Sequence, residues 1–191
     1  SDAERHRIIH RFIDDAFGDL DANPEFVAML RRATPDLPDE PTTEQVEAWI
    51  ELAELVQDPD FAASVRRMAE HQAADRADGD RTGLHHDLTE QIREAVQAAR
   101  AEGVDPASPR AGVVVDELVV LYAATFGKAD TAGYRTTLLT RLDTASDPRA
   151  ERYWHLIATI NGWPVPPSLG PVFEWFTEAL RHHPEPRESH A

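Results

Sequence analysis

Nine histidines are the most obvious metal-ligating resource of this chain. His6 and His10 stand four apart, as do Glu151 and His155, and that spacing sets two ligands on one helix face. A complete motif is lacking. There is no HExxH, and no pair of Glu-x-x-His motifs of the kind that builds a di-iron bundle. His85 and His86 sit beside a turn, where a surface or capping role is ordinary. Cysteine is absent, which removes thiolate nucleophiles, thiolate metal ligands and disulfides. GxSxG, the P-loop and GxGxxG are absent too. Asp116 and Glu117 are adjacent, and neighbours on a helix point about 100° apart, so they do not share a site. They mark the exposed or salt-bridged edge of their helix. The reading is therefore of no metal, no cofactor and no enzyme.

Aromatic residues carry the stronger signal. Tyr153, Trp154, Asn161, Trp163, Phe173 and Trp175 crowd into one C-terminal stretch, while Trp49, Tyr122 and Phe126 stand earlier. Aromatic rings with a few polar groups suit a pocket for a bulky, largely apolar small molecule. The expected ligand-binding set is Trp49, Tyr122, Phe126, Tyr153, Trp154, Asn161, Trp163 and Phe173. The pocket is expected between the helix that carries Tyr122 and the C-terminal aromatic segment. The plainer alternative is that these rings fill the core and fix a turn.

The elements that position them read as helices. Ala111 to Phe126, AGVVVDELVVLYAATF, is apolar nearly all round and so predicts a helix buried on nearly all sides. Its Val runs also suit strands. The boundaries favour helix: Ser108 is a good N-cap, Pro109 suits the first position, and Gly127 suits the residue after the end. Residues 3–20 form an amphipathic helix with Ile9, Phe12, Ile13, Ala16, Phe17 and Leu20 inward. Asn23-Pro24 opens a short second helix, and Thr34 to Pro41 is a proline-rich break. Thr42 or Thr43 caps the next helix, without a full capping box in the Thr43 register. Asp58-Pro59, Leu84, Thr131 and Asp147-Pro148 open further helices, and Asn161-Gly162 closes the last of these. Residues 163–167, WPVPP, cannot be helical. Ser168 caps a final helix through Leu180, and the chain from His182 is a loose polar tail. The fold class is all-α, about seven to nine helices around a central buried one. The expected domains are an N-terminal helical arm over 1–41, a ligand-binding domain over 42–183 and a flexible tail over 184–191.

Charge narrows the partners. Lys and Arg total 19 against 35 Asp and Glu, a net charge of -16 over 191 residues. Phosphate backbones and anionic membranes both want a basic face, so neither is an expected direct partner. No apolar run approaches the ~20 residues that span a bilayer. A cytoplasmic location fits the lack of cysteine. The chain opens Ser1-Asp2-Ala3 without methionine, as an excised fragment would.

The run EGVDPASP into VVDELVVLYAATFG, then a helix, then DPRAERYW, resembles the TipA-like effector-binding domain. That domain follows the DNA-binding winged helix in many MerR-family regulators of actinobacteria. The resemblance covers about Leu84 to Trp154 and consists of packing and capping positions. It implies a globin-like helical sensor that binds antibiotics or other bulky hydrophobic compounds. DNA would be met only through a missing winged-helix domain ahead of Ser1. The arm 3–20 would be the tail of a dimerising helix, which makes a homodimer one expected partner. The lack of cysteine departs from TipA-type capture of thiopeptides by a thiol, so covalent capture by that route is excluded. A stand-alone antibiotic-sequestering protein and a helical-bundle metalloenzyme are the competing functions.

Overall fold

The computed structural model describes residues 2–22, 24–77, 79 and 85–187. Among them the chain is all-helical, with nine helices and no strand: α1 (Asp2–Phe17), α2 (Pro24–Arg32), α3 (Thr43–Gln57), α4 (Pro59–Ala77), α5 (His86–Ala101), α6 (Pro109–Thr125), α7 (Ala132–Thr144), α8 (Pro148–Ile160) and α9 (Gly170–His182). They gather into two compact units, Ser1–Gly83 with Asp147–Ser168, and Leu84–Ser146 with Leu169–Ala191. The arm 1–41 supplies α1 and α2 to the first unit, and Thr34 to Pro41 runs between helices of that same unit.

In the first unit α3 and α8 run antiparallel. Gln45 Nε2, near the start of α3, donates to the Ile160 carbonyl at the end of α8 (3.0 Å). Glu51, midway along α3, pairs with Arg152 (2.5 Å). Asp58, just past α3, meets Arg149 at the start of α8 (3.3 Å). α1 closes over α3 and α4, so that Ile9, Ile13, Leu52, Phe61 and Leu156 form one core. The proline-rich segment is tied down by Asn161, whose side chain accepts from the Asp36 N–H (2.9 Å) and donates to the Thr34 carbonyl (3.2 Å).

The caps follow from side-chain chemistry. Thr42 accepts from the Gln45 N–H, and the Gln45 side chain accepts from the Thr42 N–H in return. This capping box uses the Thr42 register and Gln, which reaches back as Glu does; the Thr43–Val46 register hid it. Asp147 accepts from the Arg149 N–H (2.9 Å) ahead of Pro148. α8 ends where Gly162, at φ +66°, lets the Trp163 N–H reach the Ala158 carbonyl (2.8 Å). Asn23 lies outside the described residues.

The second unit packs α5 and α9 against α6, with α7 against α9. Ser108 caps α6 by accepting from the Ala111 N–H (3.3 Å), and Gly127 ends it at φ +63°. The expectation that α6 is buried on nearly all sides needs correction. Ala111, Val115, Leu118, Val119 and Tyr122 are inward, but Val113 is 42% and Val120 is 56% exposed. Among the described residues α5 and α9 are its main helical neighbours, so one stripe is covered and the opposite one is not. The N-cap of α9 is Leu169 rather than Ser168, whose hydroxyl donates instead to Glu151 (2.5 Å).

The start of the polar tail is not loose. Arg135, 1% exposed, holds residues 183–185 by donating to the His183 (2.9 Å) and Glu185 (3.1 Å) carbonyls. Arg187 follows, donating to Asp116 (2.6 Å).

Candidate functional site

A cavity of about 150 Å³ opens inside the first unit. Amphipathic spacing places its walls. On α1 and α2 the inward stripe supplies Phe12, Phe17, Phe26 and Leu30. On α4, Phe61, Val65 and Met68 face it from one side of the helix, with Gln72 a turn further on. Tyr153 and Trp154 of α8 complete it. Phe12 and Phe61 are stacked at 5.5 Å, Phe17 meets Phe26 edge-on at 5.8 Å, and Tyr153 meets Trp154 edge-on at 5.5 Å. An aromatic wall of this kind sets its rings by mutual packing.

Two of the lining residues also carry a buried polar atom. The Tyr153 hydroxyl and Gln72 Oε1 are both buried, and neither has a hydrogen-bond partner. Tyr153 is 4% exposed, and burial pushes its hydroxyl pKa well up, so the phenol stays neutral. Burying such atoms unpaired costs free energy, and native folds leave few of them. Among the described residues, no carboxylate, guanidinium or imidazole lines the cavity.

The wall at the start of α8 is braced electrostatically. Arg149 binds Asp147 (2.8 Å) and Asp60 (2.9 Å), and its guanidinium lies 5.5 Å over the Phe61 ring. The hydrogen bond from Arg149, helped by Ser64, outweighs burial and lowers the Asp147 pKa to about 2.

Of the eight aromatic and polar residues singled out from the sequence, Tyr153 and Trp154 line this cavity. Trp49 packs at the edge of the same core under Arg5, 5.9 Å from its ring. Asn161 has its side chain committed to Thr34 and Asp36. Trp163 is 50% exposed. Tyr122, Phe126 and Phe173 belong to the second unit and its core. There Tyr122 is stacked on Phe176 (5.9 Å), and burial raises its pKa to about 12. Phe126 lies under Arg141 (4.5 Å). Sequence reasoning missed Gln72 and the phenylalanines of α1, α2 and α4 as lining. The phenylalanines read as core, and a glutamine at the fading end of α4 gave no periodic signal.

Comparison with family models, with curated proteins and with solved structures finds no match to this chain.

One member of each spaced pair is engaged elsewhere. His6 meets Asp36 (2.9 Å), and Glu151 takes the Ser168 hydroxyl. Among the described residues, no group of three or more His, Cys, Asp or Glu is placed to hold a metal. In the other polar concentration, the guanidinium of Arg135 offers no ligand a donor. Nε and Nη2 are taken by Asp130 and Asp116, and Nη1 donates to two carbonyls, so the fork is spent within the fold. Burial pushes the Asp116 carboxyl up, but Arg187 and Arg135 together hold it below its ordinary value. No helix among the described residues is long and apolar enough to cross a membrane.

Proposed function

We propose that this chain is a small-molecule effector-binding domain whose ligand occupies the cavity of the first unit. The observation that carries this is a cavity walled by aromatic rings from α1, α2, α4 and α8. The cavity narrows the ligand. Drug-sized pockets are roughly 300–1,000 Å³, while an apolar cavity near 150 Å³ takes a benzene-sized guest. At about 150 Å³ this one fits a single ring rather than the bulky antibiotic-like compound the sequence suggests.

A place in a MerR-type transcription regulator rests on the resemblance over Leu84 to Trp154 alone, and most of that stretch lies in the second unit. The acidic balance supports a chain that does not itself hold DNA.

The test is thermal unfolding and tryptophan fluorescence of the purified protein against a panel of one- and two-ring aromatic compounds. A saturable rise in melting temperature with single-ring compounds is the expected result, since a ligand that binds only the folded state stabilises it by mass action. No saturable binding across the panel at millimolar concentrations would refute the reading.

A further inference from the structure

Resting on that reading of the cavity, we infer that α2 is the element whose docking follows ligand occupancy: a filled cavity seats α2 on the first unit, and an empty one lets it loosen. A helix of nine residues is too short to hold itself in water, so its packing decides its state. That packing is slight. Among the described residues, α1 is the main helical neighbour of α2. Leu30 is the one buried residue of α2, and it lines the cavity. Phe26, half-buried and edge-on to Phe17 at 5.8 Å, lines it as well. Wall atoms that border a void lack partners on that side and forgo their dispersion contacts. A guest in the cavity supplies them.

The other walls depend on the cavity far less. α1 also buries Ile9 and Ile13, and α8 buries Leu156 and Ile160, none of which lines it. α4 packs on both α1 and α3. What else ties α2 lies at the surface or past its end. Arg31 pairs with Asp14 at 2.7 Å, both side chains more than half exposed, and such a pair contributes little. Beyond α2, Asn161 clamps Thr34 and Asp36. The chain is therefore pinned on both sides of α2, which can loosen in place without unravelling α1 or the clamp. A ligand shifts such an equilibrium only through contacts that differ between the two states. Contacts with Phe26 and Leu30 exist only when α2 is docked.

The experiment is amide hydrogen exchange of the full chain with and without p-cresol, a soluble, neutral single-ring compound whose binding is first measured by calorimetry. Without it, the amides of residues 28–32 are expected to exchange at least about tenfold faster than those midway along α3, because a locally opening helix exchanges ahead of global unfolding. At ten times its Kd, p-cresol is expected to slow residues 28–32 about tenfold, because it binds only the docked form. Ala28→Pro breaks α2 at a position that does not line the cavity, and is expected to weaken p-cresol at least about tenfold while α3 stays protected. If p-cresol binds but exchange in 28–32 is unchanged, or if Ala28→Pro binds it within about twofold of wild type, α2 is uncoupled from the cavity. The inference is then overturned, while the cavity still stands as a binding site. It is overturned equally if 28–32 exchange as slowly as α3 in the free protein, since there is then no separate docking step. If p-cresol does not bind the wild type, both this inference and the functional reading beneath it fail. Should Ala28→Pro not fold, the wild-type exchange decides the matter.

Discussion

Phe12 of α1 and Tyr153 of α8 face each other with ring centroids 5.8 Å apart and planes tilted by 36°. Phe12 also stacks on Phe61 of α4, so three helices far apart in the chain meet at one aromatic junction. The junction fixes the Tyr153 ring and, with it, a hydroxyl that has no partner. Tyr153→Phe removes only that oxygen. An unpaired buried hydroxyl costs about 1–3 kcal/mol, so the ligand-free variant is expected to be as stable as the parent or up to about 2 kcal/mol more so. Urea unfolding checks this. A loss of about 1 kcal/mol or more would show that the oxygen is satisfied in solution.

Acid should loosen the first unit at Asp147. Its carboxylate caps α8, binds Arg149 and accepts from Ser64, and its pKa falls from 3.8 to about 2 on folding. A depressed folded pKa means the stabilisation is fully present above about pH 4 and is lost as pH falls through about 2. The difference corresponds to about 2 kcal/mol as an upper value, since the side chain is not fully buried. Asp147→Asn is expected to destabilise by about 1–2 kcal/mol at pH 7 and to show a shallower decline below pH 4. Parallel urea titrations from pH 7 to pH 2 measure both. An unchanged acid profile in the variant would remove Asp147 as its cause.

Arg135 is the corresponding anchor of the second unit. Its guanidinium takes both oxygens of Asp130, one of Asp116, and two carbonyls of the C-terminal segment. Removing one partner of a buried ionic network typically costs about 3–5 kcal/mol, because the remaining charges stay desolvated. Arg135→Met is expected to fall in that range by thermal or urea unfolding. It should also speed amide hydrogen exchange in residues 183–187. Unaltered exchange there would mean the segment is held by something other than Arg135.

These anchors show what the sequence does and does not make legible. Helix ends were readable at Ser108-Pro109, Asp147-Pro148 and Asn161-Gly162, because capping is a local matter of a side chain and the next three N–H groups. The all-helical class followed from the same local signals. The grouping of helices was not readable. α8 completes the first unit after the chain has built most of the second, and nothing local in DPRAERYW announces that it will pair with α3. Tyr122 and Tyr153 look alike in sequence yet belong to different cores. Arg135 sits in an ordinary TAGYRTT run, and its partners lie up to 50 residues away. Val113 and Val120 looked buried because apolar character is intrinsic to a residue, while coverage depends on how many helices arrive.

Trp154 and Trp163 separate the cavity from the aromatic turn. The sequence made both candidate anchors, but Trp154 lines the cavity and Trp163 is half exposed outside it. A ring ligand in the cavity should therefore perturb the emission of Trp154 and leave that of Trp163 largely unchanged. Titrated with p-cresol under red-edge excitation, Trp163→Phe is expected to keep the wild-type fluorescence response and affinity within about twofold, since surface substitutions rarely change energetics by more than ~0.5 kcal/mol. Trp154→Phe should lose most of the signal and bind several-fold more weakly, because a smaller ring leaves part of the wall uncovered. The reverse pattern, with Trp163→Phe abolishing the response, would move the site out of the α1–α4–α8 cavity and onto the proline-rich turn. Calorimetry on the same pair guards against a spectroscopic artefact, as it reads heat rather than the replaced fluorophore.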